Sequence, residues 1–185
     1  MTVANAITLV RLIAAPLTAY AVFSGHALLA GLLFVLAVVT DLGDGIVARR
    51  RNEASTFGGL FDHATDATYV TVALAAVAMR GEVPWLLPPL IAIAFLQYVL
   101  DSRAHVGLAL RASQLGRWNG IAYFALAGTP LVRDALALGW PPATWVYGAG
   151  WVLVATTALS MLDRATSRRT APGSHAAGTE DRSAR

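Results

Sequence analysis

Four aspartates, Asp41, Asp44, Asp62 and Asp66, fall inside one stretch, DLGDGIVARRRNEASTFGGLFDHATD, of a chain that is otherwise mostly apolar. LLAGLLFVLAVVT precedes it and ATYVTVALAAVAM follows it. Carboxylates next to apolar runs of this kind are costly in a membrane, so they mark a functional site. Four acids close together repel one another unless cations hold them. Asp41 and Asp44 are three residues apart, and Ala48 lies seven after Asp41, so on a helix they share a face. Gly58, Asp62 and Asp66, spaced by four, share a face as well. A polar turn over roughly 50–56 separates the two groups, and two antiparallel helices joined there bring both acid pairs together. An oxygen-only ligand set suits a hard cation, Mg²⁺ or Mn²⁺, and not zinc. His63 is the only histidine in the stretch and cysteine is absent from the chain. The sequence reading sets His63 aside as pointing off the metal face. The rival reading is a pair of helix-end acids capping or solvating a turn, but caps do not need four acids on two matched faces.

Composition supplies the setting. The chain has 185 residues, 56% hydrophobic and 14% charged, with a mean hydropathy of +0.57. A soluble domain carries about 25% charged residues, so the expectation is an all-α integral membrane protein in one domain, residues 1–163. The formal net charge is +3, and every basic side chain is arginine. The arginines are scattered between apolar spans, which fits a membrane surface better than nucleic acid. The absence of cysteine excludes disulfide and thiol chemistry.

A spanning helix needs about 20 apolar residues, and six spans are predicted. They are 6–23, 26–41 continuing towards Arg49, 58–79, 85–103, 115–138 and 144–162. The first has no cleavage-site pattern after a short core and reads as a retained helix. With the N-terminus cytoplasmic, twelve arginines lie inside, and only Arg80 and Arg133 lie outside. That bias predicts cytoplasmic N- and C-termini, with the aspartates on the cytoplasmic side of a multi-pass inner membrane protein. Pro84, Pro88 and Pro89 bracket the outer start of the fourth span, and Trp85, Trp140 and Trp145 suit an interfacial aromatic belt. Residues 164–185, rich in Ser, Thr, Ala, Gly, Pro and Arg, read as a disordered basic tail that touches anionic headgroups.

Written out, the acidic stretch is Asp41-x-x-Asp44-Gly45-x-x-Ala48-Arg49, eight residues, then Gly58-x-x-x-Asp62-x-x-x-Asp66. This resembles the signature of the CDP-alcohol phosphatidyltransferase family, with all eight signature positions filled. The resemblance implies a phosphatidyl group moved from CDP-diacylglycerol to an alcohol, with release of CMP. It implies two divalent cations held by Asp41, Asp44, Asp62 and Asp66, with Asp66 also the general base. Gly45, Ala48 and Gly58 then allow close approach of the nucleotide, or else tight helix packing. Gly59 is assigned to packing. Arg49 contacts a phosphate or pairs with an aspartate.

The first segment carries Asn5, Thr8 and Arg11, similar to a Pro-Asn-x-x-Thr-x-x-Arg opening in the family, with Ala4 in the place of the proline. Asn5 and Thr8 line the nucleotide end of the site, or Asn5 caps the first helix. A second polar stretch, 101–120, offers Arg103, His105, Arg111, Ser113, Arg117 and Asn119. By resemblance, Arg103 and Arg117 bind the acceptor's phosphate; by charge alone they are positive-inside anchors. Glycerol 3-phosphate is the first-choice acceptor, on the opening segment and the six-span size. Serine, inositol phosphate and phosphatidylglycerol are the alternatives. The partners implied are membrane lipids and a second copy of the chain, a homodimer permitted by small residues on the third and fourth spans.

Two other classes compete. A magnesium-dependent prenyl transferase or diphosphatase carries Asp-rich motifs on two distant helices, whereas the acids here form one continuous signature. A cation transporter spreads its acids through the bilayer depth, whereas Asp101, Asp134 and Asp163 lie at helix ends.

Overall fold

A computed structural model describes residues 3–51, 56–101 and 114–169, and the side chains of 5–43, 57–101 and 114–166. Among the described residues the chain is wholly helical, with six helices: α1 (Val3–Phe23), α2 (Ala27–Arg51), α3 (Thr56–Met79), α4 (Leu87–Asp101), α5 (Gln114–Ala135) and α6 (Ala143–Arg169). α1 packs on α2 and α3, α2 on α5, α3 on α4, and both α4 and α5 on α6. Among the described residues, two helices, over Asn5–Phe23 and Ala143–Thr166, are long and apolar enough to cross a membrane; Ala27–Gly43 and Leu87–Asp101 are shorter apolar helices.

Helix ends follow backbone chemistry. Gly25 (φ 72°) closes α1, with His26 N donating to Ala21 O at 2.9 Å. This is the six-to-one bond of a left-handed C-terminal cap, and glycine enters that region without a Cβ penalty. α4 begins at Leu87 rather than Trp85, because Leu87 N closes a turn on Pro84 O at 3.0 Å. Pro88 and Pro89 then fill the first turn, where their missing N–H groups cost nothing. α5 ends at Ala135 rather than 138: Ala137 is left-handed (φ 51°) and Leu138 N reaches Arg133 O at 2.8 Å. α6 continues through Arg169, past the expected 163/164 boundary; residues 170–185 of the expected tail lie outside the described residues.

The core is built largely of small side chains, including Ala14, Ala15, Ala37, Ala73, Ala76 and Ala127, around Tyr69, Leu74 and Leu131. Large apolar side chains such as Ile13, Leu17, Leu32, Ile93 and Trp151 face outward instead. Hydrocarbon solvates those chains as well as a core does, so packing in a membrane depends on close backbone approach at small residues. α2 and α5 show it. A Cβ on Gly128 would strike the Phe34 ring, and one on Gly31 would strike Ala135. Polar ties cross between helices: Tyr123 Oη and Thr157 Oγ1 are 2.5 Å apart, and Gln97 Nε2 donates to Met161 O at 3.0 Å.

At the end of the bundle reached by the C-termini of α3 and α5, four charges form a closed set. Arg80 Nη2 lies 2.6 Å from both Glu82 Oε1 and Asp134 Oδ2. Arg133 Nη2 lies 2.5 Å from Glu82 Oε2 and 2.7 Å from Asp134 Oδ1. The two arginines expected outside are therefore neutralised by local acids, and the set pins the α3–α4 turn to the end of α5.

Candidate active site

The acid cluster forms at the opposite end of the same helices. α2 supplies Asp41, and α3 supplies Asp62 and Asp66 one turn apart on one face. Each offers a carboxylate oxygen, and these atoms lie within 4.8 Å of one another, a grouping that can hold a metal ion. All three are partly buried. Oxygens sharing an octahedral Mg²⁺ at about 2.1 Å lie about 3–4 Å apart, so donor type and spacing both fit a hard divalent cation. The meeting of Asp41 with Asp62 and Asp66 expected from the spacing is present, with α1 packed against both α2 and α3. Asp44, Gly45, Ala48 and Arg49 continue the same helix α2, but their side chains lie outside the described residues.

Arg11 of α1 reaches into this cluster. Its side chain is fully buried, and Nη1 donates to Asp41 Oδ1 at 3.0 Å, to Asp62 Oδ1 at 3.2 Å and to Asp66 Oδ1. From the sequence, Arg11 belongs to the inside arginines and to the Asn5–Thr8–Arg11 opening, with no tie to the aspartates. Its signal was available: an arginine within an apolar span, one turn after Thr8, needs a charged partner. Thr8 is buried and Asn5 half-buried on α1, and Gly58 sits in the first turns of α3.

Beside the cluster opens a cavity of about 540 Å³. Asp41 and Asp66 form part of its wall, with Arg117, Asn119 and Arg164 among its other polar residues and Val38, Ile91, Phe95 and Phe124 among its apolar ones. Arg117, expected from the sequence, is thus brought to the acids. Arg103 lies outside the described residues. Arg164, assigned to the tail by the sequence, stands on α6 with its guanidinium carbon 4.7 Å from the centroid of the Tyr98 ring, a cation–π contact that holds a cation over an aromatic face. The continuation of α6 past residue 163 is what carries it there.

His63 stays outside the metal cluster, as expected, but not outside the cavity. It lines the wall with Nδ1 3.8 Å from Asp62 Oδ2 and its ring 6.4 Å from that of Tyr98. A position next to Asp62 points off the face of Asp62 and Asp66 along one helix, yet towards α4 in the bundle. Gly59, assigned to helix packing, has nothing within 4 Å of an added Cβ among the described residues.

An acid cluster suited to a divalent cation, next to a cavity with two arginines, is an arrangement for handling phosphates. The pattern defining the CDP-alcohol phosphatidyltransferases matches residues 1–162. The chain belongs to that family. CDP-alcohol phosphatidyltransferases are membrane-embedded enzymes, in keeping with the outward apolar surface.

Three relatives are similar to it. A CDP-diacylglycerol–glycerol-3-phosphate 3-phosphatidyltransferase of Cereibacter sphaeroides is 34% identical over 127 residues, 64% of this chain and 58% of that protein. A "Probable phosphatidylglycerophosphate synthase" of Mycobacterium tuberculosis is 36% identical over 88 residues, 44% of this chain and 42% of that protein. A Salmonella choleraesuis protein with the same name as the first is 27% identical over 164 residues, 84% of this chain and 86% of its own length. The matched stretch therefore spans about half the length of the first two relatives, and most of the third.

Proposed function

We propose that this CDP-alcohol phosphatidyltransferase moves a phosphatidyl group from CDP-diacylglycerol to glycerol 3-phosphate, forming phosphatidylglycerol phosphate and CMP. The observation that carries this reading is the sharing of one cavity by Asp41 and Asp66 with Arg117 and Arg164. It sets cation ligands for a diphosphate beside anion ligands for an acceptor that bears its own phosphate. The names of the similar proteins support the same acceptor.

Asp41, Asp44, Asp62 and Asp66 would hold two Mg²⁺ or Mn²⁺ ions. Such ions, when bound, neutralise the diphosphate and the charge that grows on the departing CMP. The chain's own groups do the rest. The acceptor hydroxyl oxygen attacks the phosphatidyl phosphorus, its proton passes to an Asp66 oxygen, and the bond to the CMP oxygen breaks. A free carboxylate is a weak base for an alcohol, so transfer of the proton is concerted with attack. Arg117 and Arg164, with Arg103, clamp the acceptor phosphate and aim the hydroxyl; guanidinium groups suit this because their paired donors match phosphate oxygens. Asn5, Thr8, Gly45, Ala48, Arg49 and Gly58 receive the CDP portion.

The reading includes six spans with both termini cytoplasmic, which puts the acids on the side where nucleotide-activated lipid is made, and a homodimer in the inner membrane. The test is CMP release from CDP-diacylglycerol with added Mn²⁺ across a panel of glycerol 3-phosphate, serine, inositol phosphate and phosphatidylglycerol, with the lipid product identified. Phosphatidylglycerol phosphate as the main product supports the proposal. CMP release with another acceptor replaces the acceptor, and no CMP with any acceptor removes the reaction.

A further inference from the structure

Arg11 sits among the carboxylates, yet the chemistry above gives it no part. Its single Nη1 donates to oxygens of Asp41, Asp62 and Asp66, and among the described residues these three form the group able to hold a metal ion. One nitrogen on α1 therefore bridges acids from α2 and α3. An ionised carboxylate only accepts, so the guanidinium N–H groups and a divalent ion call on the same lone pairs. They also repel each other as like charges. The guanidinium offsets one of the three negative charges in this group, which keeps the acids together while leaving the group anionic.

We propose that Arg11 is a built-in counter-cation, a positioning residue that preassembles the aspartates and competes with the divalent ion for their oxygens. The proposal rests on the reading of these acids as metal ligands. Ion binding then requires Arg11 to give up bonds to the carboxylates, and the affinity of the site is set by that exchange. The arrangement lets three acids fold against one another before an ion arrives, and it holds ion affinity below what the bare acids provide.

The test uses the full chain in nanodiscs, with wild type, Arg11→Gln and Arg11→Lys compared. Mn²⁺ binding is followed by loss of the free-ion electron paramagnetic resonance signal, and melting is measured in chelator and in Mn²⁺. Loss of one close charged competitor changes binding by about tenfold or more. Arg11→Gln is therefore expected to bind Mn²⁺ about tenfold more tightly, to melt below wild type in chelator, and to gain more in melting temperature from Mn²⁺. Arg11→Lys keeps the charge but not the fork geometry, so its affinity falls between the two. If Arg11→Gln does not fold, the Arg11→Lys affinity carries the test, and tighter binding than wild type is still expected. Binding equal to or weaker than wild type in the variants overturns the counter-cation. A wild type that takes up no Mn²⁺ overturns the metal reading itself, an outcome distinct from equal affinities.

Discussion

The proposed acceptor clamp makes the sharpest quantitative demand. Arg164 and Arg117 both line the cavity, but Arg117 is exposed and Arg164 is half-buried. Arg164 is held over the Tyr98 ring at 4.7 Å, so it is the better ordered and less water-screened of the two, and its loss should cost more. A hydrogen bond to a charged group contributes about 1.5–3 kcal/mol, and about 1.4 kcal/mol is tenfold. Arg164→Gln is therefore expected to raise the KM for glycerol 3-phosphate about 10- to 150-fold, with Arg117→Gln nearer the low end. Tyr98→Leu removes the aromatic support alone; a cation–π contact of about 0.5–2 kcal/mol predicts a rise of about 2- to 30-fold. The assay is CMP release in nanodiscs at saturating CDP-diacylglycerol and Mn²⁺, with glycerol 3-phosphate varied. The KM for CDP-diacylglycerol and the melting temperature are the controls, and both should stay near wild type. An unchanged acceptor KM, or equal rises for the two substrates, would refute the assignment.

Three further outcomes follow from the geometry. Asp66→Asn keeps the shape but not the basicity, so CMP release should fall about 10²- to 10⁴-fold with the helical fold retained by circular dichroism; a rate within tenfold of wild type would remove Asp66 as the base. Gly128→Val drives a side chain into the Phe34 ring and should cost about 1–3 kcal/mol of stability, seen as a lower melting temperature that Phe34→Ala partly restores in the double variant. Glu82→Gln takes a nearly buried acid from between Arg80 and Arg133; stability should drop by about 1–3 kcal/mol, while CMP release per folded molecule stays unchanged, because the ionic set lies at the far end of the bundle from the aspartates.

The convergence of Asp41 with Asp62 and Asp66 was legible because it needs only helix periodicity and one turn between two helices. The bounds of α1 and α3 were legible too, since glycine punctuation and apolar runs coincide there. Features that depend on a third helix were not. Arg11 is legible as an inside arginine and as part of the Asn5–Thr8–Arg11 opening, but its tie to the acids is not, because that needs α1 packed against α2 and α3. His63 lies off the Asp62–Asp66 face of α3, and only the position of α4 turns that side into cavity wall. Arg164 follows the last apolar run, so a disordered tail was the natural expectation; the helix instead continues to Arg169, with Arg164 over the Tyr98 ring of α4. The ends of α4 and α5 moved inward for local reasons, the turn closed on Pro84 and the left-handed Ala137. Arg80 and Arg133 were placed by charge counting, which cannot see that Glu82 and Asp134 neutralise them.

The most direct test of the account is anomalous diffraction, near the manganese edge, from crystals of the wild-type protein grown in Mn²⁺. The account predicts a manganese peak between α2 and α3, about 2.1 Å from carboxylate oxygens of Asp41, Asp62 and Asp66. No peak there, with those oxygens turned away from one another or an ion held elsewhere, would contradict it.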